Sequence, residues 1–208
     1  MTVTAPDLLV LHGVRLLGFA PAGAVAGRFG LEETVVADLL EDHRARGLVT
    51  WSSFGDSEGW SLTTRGRLEG ERRLTAELDA TGRRDLVHRT YLDFLELNAQ
   101  VLQAITDWQT RPAPGRPFAE NDHQDSRWDA RVLSRLAVVE DRLTPLGATL
   151  GGVLPRFEGY AARYSAALAR ARDGDRRWVD AIGIDSCHTV WFQLHEDLLA
   201  TLGIPRGQ

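Results

Sequence analysis

Residues 22–49 read AGAVAGRFGLEETVVADLLEDHRARGLV, and this stretch decides the fold. Pro21 precedes it and can sit in the first turn of a helix, where its missing N–H costs nothing. Ala22, Ala24, Val25, Ala26 and Phe29 then form a short helix. Gly30 closes it, as glycine does just past a helix end, where positive φ is needed. Val35, Val36, Leu39 and Leu40 repeat at three- and four-residue spacing, which predicts a third helix from about Glu32 to Arg46. Gly47 ends that helix, and Leu48, Val49, Thr50 and Trp51 read as a strand.

Upstream, Leu8 to Ala20 reads as a helix with Leu8, Leu9, Leu11, Val14, Leu16, Leu17 and Phe19 as its apolar positions. Downstream, Gly55-Asp56-Ser57-Glu58-Gly59 is a turn, and Trp60, Ser61 and Leu62 form a second strand. Thr63 or Thr64 caps a helix beginning near Arg65. Helix, short helix, turn, helix, strand, tip, strand, helix is the layout of a winged helix-turn-helix. It occupies residues 1–80, and residues 81–208 form a second, helical domain. The expected fold class is mainly α, or α+β, with the two-stranded wing as its sheet and an all-α second domain.

The stretch at 22–49 and LTTRGRLEGERRL at 62–74 resemble the winged-helix domains of MarR- and PadR-like bacterial regulators, over about residues 6–75. RARGLV at 44–49 and SLTTRGR at 61–67 are the most recognisable parts. TDWQ at 106–109, NDH at 121–123 and DSCHTVWFQLHEDLLATLG at 185–203 resemble a group of regulators from high-GC Gram-positive bacteria, in which a winged helix precedes a helical domain. The resemblance implies the two-domain layout and a regulatory role. It implies no ligand and no reaction.

A winged helix that reads DNA lays its third helix, here residues 31–46, in the major groove with its N-terminal residues at the base edges. Those residues are Glu32, Glu33 and Thr34. Glutamate near phosphate is repelled, although it can accept a hydrogen bond from cytosine. The basic candidates are Arg28, His43, Arg44, Arg46, Arg65 and Arg67. The wing tip carries Asp56 and Glu58 and no arginine. The expected DNA-binding set is Arg28, Glu33, Thr34, Arg44, Arg46, Arg65 and Arg67.

Charge bears on that expectation. The 208-residue chain has a formal net charge of -5, and all 24 of its basic residues are arginine. Residues 1–80 hold 8 Arg against 12 Asp and Glu, and residues 81–208 hold 16 against 17. DNA-binding modules release phosphate counterions through a basic face, which here requires local clustering. Hydrophobic residues make up 43%, enough to bury a core. The single cysteine, Cys187, excludes a disulfide within the chain and suggests a reducing compartment. The sequence shows neither a secretory leader nor an apolar run of roughly 18 residues, so a cytoplasmic protein is expected.

In the second domain a helix runs from about Arg84 to Gln109, with Tyr91, Phe94, Leu95, Val101, Leu102, Ile105 and Trp108 as its stripe and Asn98 on the same face. Asn98 is either a satisfied core amide or a ligand contact. Residues 110–125 carry Pro112, Pro114, Gly115 and Pro117 and read as a loop. Helices follow at about Arg127–Arg142 and Pro145–Val153. Pro155 opens another, ending near Arg172, on which Arg156, Tyr160, Arg163 and Tyr164 share a face. A buried Arg163 needs an anionic partner, with Asp107, Asp185, Asp197 or a ligand as candidates. The last helix, about Ser186 to Leu202, sets His188, Trp191 and His195 on one apolar stripe.

The expected ligand-binding set is therefore Tyr91, Asn98, Asp107, Trp108, His123, Arg156, Tyr160, Arg163, Asp185, His188, Trp191 and His195. Aromatic walls with a few polar groups are typical of small-molecule sites. His188 and His195 lie about 10.5 Å apart along the helix axis, too far to share one ion easily, so no metal site is expected. No cofactor can be named. The first expectation is a ligand-responsive, homodimeric DNA-binding regulator. The alternative is an enzyme or biosynthetic protein that keeps the winged helix as a scaffold without DNA binding, with His188 and His195 as acid–base groups. A third is an interaction module whose polar residues are purely structural.

Overall fold

The computed structural model describes residues 3–55 and 57–205, so Asp56 at the wing tip lies outside the described residues. The chain divides into two compact units. The first takes the chain as far as Asp85 and adds Val153–Arg156 and the stretch from His195 onward. The second takes Leu86–Gly152 and Phe157–Leu194. The architecture is mainly α, with two small antiparallel hairpins.

The first unit begins with α1 (Pro6–Leu17), α2 (Ala22–Phe29) and α3 (Glu33–Ala45). Pro21 stands at the N-cap of α2 with extended backbone, and Gly30 takes the left-handed conformation that ends it. Two strands follow, β1 (Val49–Phe54) and β2 (Ser57–Leu62), then α4 (Thr64–Ala80). The order is that of a winged helix. The strands run three residues further toward the tip than their apolar residues suggested, with Val49 opposite Leu62 and Phe54 opposite Ser57. Val10, Leu11 and Val14 of α1, Val25 and Ala26 of α2, Val36 and Leu40 of α3, Leu48, Val49 and Trp60 close into one core.

The two most recognisable stretches of the sequence meet each other. The Thr63 hydroxyl shares its proton between the Gly47 and Leu48 carbonyls (2.8 and 3.1 Å) and accepts the Gly66 N–H at 2.9 Å. It caps α4 and pins that helix to the exit of α3. Gly66 is required because a Cβ there would overlap the Leu48 carbonyl.

The second unit is built on two long helices, α5 (Arg84–Gln109) and α6 (Ser126–Val153), with α7 (Tyr160–Arg172), the short α8 (Arg177–Asp180) and the first half of α9 (Cys187–Leu202). Tyr91, Phe94, Leu97 and Val101 of α5, Leu136 and Val139 of α6, Tyr160 and Tyr164 of α7 and Trp191 of α9 are buried. Three features depart from the sequence expectation. Residues 110–120 form a hairpin, β3 (Thr110–Ala113) with β4 (Arg116–Glu120), so this unit is not purely α. Prolines are tolerated there because every strand of a two-stranded ribbon is an edge. The two helices expected on either side of residue 144 are one, with Pro145 inside it. Pro155–Phe157 is a 3₁₀ turn, and α7 starts only after Gly159, at φ 87°. Arg156 therefore shares no helix face with Tyr160 and Arg163.

Among the described residues, no helix is long and apolar enough to cross a membrane.

Candidate functional site

In the first unit α3 is seated by Val36, Leu40 and His43, so its other face is turned out. That face is acidic: Glu32, Glu33, Asp38, Glu41 and Asp42 are exposed, with Thr34 and Val35 between them. Arg44 is exposed but held by Glu41 at 2.7 Å. His43 is no surface cation. It is buried, with Nε2 2.8 Å from the Asp7 carbonyl, and burial pushes its pKa down. Arg28 is half-buried, its guanidinium 4.9 Å from the Phe29 ring centroid, and adds to the positive field at Asp197. Glu33 and Thr34 stand exposed in the first turn of α3, as expected.

Positive charge gathers elsewhere. Arg46, Arg65, Arg72 and Arg73, with Thr64, Glu69, Leu48 and Leu68, line a groove of about 680 Å³ between the end of α3 and the start of α4. Glu69 is bound by Arg72 at 2.8 Å, and Arg73 binds Asp7 at 2.8 Å. Neither Arg46 nor Arg65 forms an ion pair among the described residues. Of the arginines expected at DNA, Arg46 and Arg65 enter the groove, while Arg67 is exposed but does not line it. Arg72 and Arg73 were not singled out from the sequence. Their spacing of seven and eight from Arg65, two turns on one helical face, is the signal that could have found them.

The first unit also holds a buried ionic network. His12 Nε2 is 3.0 Å from Asp197 Oδ1, and both side chains are fully buried. Arg156 donates from Nε to Asp197 at 3.4 Å, from Nη2 to Thr201 at 2.8 Å and from Nη1 to Thr4 at 3.2 Å, and also binds Glu77. Arg15 binds Glu71 at 2.6 Å and faces Glu196 at 3.6 Å. Burial alone would raise the Asp197 pKa. The His12 imidazole and the charges of Arg156 and Arg28 outweigh it and hold the carboxyl at about 2. Burial holds His12 below its ordinary value, so Arg156 supplies the counter-charge. This network is what Arg156 does: it binds within the first unit, apart from the ligand set proposed around it.

In the second unit Trp191 stacks on Phe94 with centroids 4.5 Å apart, and its Nε1–H donates to Asn98 Oδ1 at 2.8 Å. Asn98 is thus half-buried and partnered, and Tyr91 stacks on Phe94. Arg163 finds its anion in Asp185, bound twice at 2.7 and 2.6 Å, and donates to Gln193 at 2.7 Å. Its Nη1 is buried without a hydrogen-bond partner among the described residues, beside the Tyr160 ring. Asp107 is held at the edge by Arg135 and by Gln103. His188 is half-buried in this unit. His195, also half-buried, belongs to the first, so the two histidines lie in different units. Cys187 is buried, and burial pushes its thiol up to about 12, so it is inert at neutral pH.

The NDH segment forms a polar cluster in the second unit. Asn121 Nδ2 donates to the Trp108 carbonyl at 2.9 Å and to Asp129 Oδ1 at 3.1 Å, and its Oδ1 accepts the His123 N–H at 3.1 Å. His123 Nδ1 lies 3.1 and 3.0 Å from the two Asp129 oxygens, and its ring packs on Trp108 at 4.6 Å. Among the described residues, no group of three or more His, Cys, Asp or Glu side chains is placed to hold a metal ion. No protein-family model matches the chain, and no curated protein or solved structure is significantly similar to it.

Proposed function

We propose that the chain is a winged-helix regulator that meets duplex DNA through phosphate contacts in the arginine groove, and not through the exposed face of α3. The groove carries the reading: four arginines in one place on a unit that is acidic elsewhere. Arginine forks suit phosphate oxygens, and each phosphate neutralised releases counterions. In this reading the protein acts as a homodimer on paired half-sites. The second unit takes a small molecule with an acceptor oxygen, which the unpartnered Arg163 Nη1 would bind.

The test is DNA affinity against salt. Affinity should fall linearly on logarithmic axes, with a slope near −0.9 for each phosphate held. Arg46→Ala and Arg65→Ala should each reduce that slope by about 1. Glu33→Gln and Asp38→Asn should tighten non-specific binding, because each removes a repelling charge. Absence of salt-dependent binding by the intact protein ends the DNA reading.

A second reading rests on a different observation. The acidic face of α3 stands with exposed Trp51 (43%) and Phe54 (73%) on the wing, and like charge repels phosphate while aromatic residues favour protein surfaces. A winged helix with this surface serves as a protein-interaction module. Binding unaffected by Arg65→Ala but lost in Phe54→Ser would select this reading.

A further inference from the structure

We propose that His123 and Asp129 form a proton-acceptor pair in the second unit, with His123 Nε2 as the group that meets a small molecule bearing a hydroxyl, or a water. The proposal is independent of how the first unit binds DNA.

The placement is over-determined. His123 is the one non-glycine with positive φ among the described residues, at 57°. Backbone in that region persists only where the surroundings enforce it, and it concentrates at functional sites. Here Asn121 holds the His123 N–H, and Arg176 Nη2 donates to the His123 carbonyl at 3.1 Å. Both carboxylate oxygens of Asp129 face Nδ1, with Asn121 Nδ2 3.3 Å from the same nitrogen; two acceptor oxygens there favour the tautomer with the proton on Nδ1 and the lone pair on Nε2. Asp129 sits in the first turn of α6, where the helix dipole favours a carboxylate, and is only 8% exposed. Trp108 forms one wall of the ring's site.

Such an arrangement does more than satisfy a core histidine. Nε2 lies across the ring from the carboxylate, and the imidazole side chain is 20% exposed. A hydroxyl O–H approaching Nε2 gives up its proton to that lone pair and keeps the bonding electrons on oxygen. The imidazolium so formed is neutralised by Asp129, while the Nδ1 proton stays in place. Asp129 and Asn121 are positioning residues: they fix the ring and its tautomer.

The probe is diethyl pyrocarbonate, whose carbonyl is attacked by an unprotonated imidazole nitrogen. The exposed His88 of α5 is the internal reference. Peptide mass mapping over time should show His123 carbethoxylated several-fold faster than His88, although it is the more buried. Asp129→Asn should slow His123 to the reference rate without changing labelling of His88. In the unaltered protein, long-range proton–nitrogen correlation should assign His123 as the Nδ1–H tautomer. Labelling no faster than His88, an Nε2–H tautomer, or indifference to Asp129→Asn in a folded variant would each overturn the proposal.

Discussion

Asp197→Ala is expected to remove about 3–5 kcal/mol of stability, the usual cost of deleting one partner from a buried ion pair. His12 and Arg156 would be left facing one another in a space from which water is excluded. Arg156 would keep Glu77, so the loss falls on the Asp197 side of the network. Asp197→Asn keeps the shape and loses the charge, so it should fall between the variant and the parent. Urea titration reads the loss, and a midpoint within error of the parent would show that the network contributes nothing. The pH dependence has a definite sign. His12 is held below its ordinary value, so acid loads the unfolded chain first and stability begins to fall below about 6.5. Asp197 is held at about 2 against an ordinary 3.8, so its contribution is present above 3.8 and disappears as pH falls toward 2. The lower part of that decline should be missing in Asp197→Asn.

Gly66→Ala should be nearly as damaging, for a steric reason. A Cβ at Gly66 would stand 1.8 Å from the Leu48 carbonyl oxygen and 2.7 Å from its carbon. Those atoms are backbone and cannot rotate away. Either β1 or α4 must shift, and Thr63, which ties both together, loses its geometry. Overpacking costs about 1–3 kcal/mol where side chains can adjust, and a lost cap adds ~1 kcal/mol. The control is one turn away. At Gly70 the added Cβ would meet only the Leu11 side chain, Cδ2 at 3.6 Å and Cγ at 3.9 Å, both ordinary contacts. Gly70→Ala should therefore stabilise, by roughly 0.5–1 kcal/mol, because glycine is the poorer helix former. Thermal melts of the two variants moving in the same direction would contradict this account.

The first unit was legible because its signals are local. Helical spacing of Val36 and Leu40, glycines at the ends and a threonine cap are all written within a few residues of where they act. The hairpin at 110–120 was hidden because its prolines and glycine also describe a loop, and only cross-strand pairing distinguishes the two. The place of Arg156 is hidden because helical spacing from Arg156 to Arg163 runs through Gly159, whose left-handed backbone breaks the phase. Its anion, Asp197, lies 41 residues further along the chain. Pairing between segments this remote leaves no periodic trace. The acidic face of α3 was visible in the sequence, whereas the arginine groove appeared only when two helix ends were brought together.

The return of Val153–Arg156 and of the second half of α9 into the first unit bears on how the molecule is made. A ribosome delivers the winged helix early, but Arg156 lies 152 residues beyond Thr4, the residue it binds, and Asp197 comes later still. Closing so long a loop carries an entropic cost, paid only when the last turns of α9 have emerged. Until then the nascent module holds His12 without Asp197, Arg15 with Glu71 but without Glu196, and Leu8 and Leu74 without Ala200. A stalled chain ending near residue 190 should accordingly be cut by protease within its first eighty residues, and release of the finished polypeptide should confer resistance.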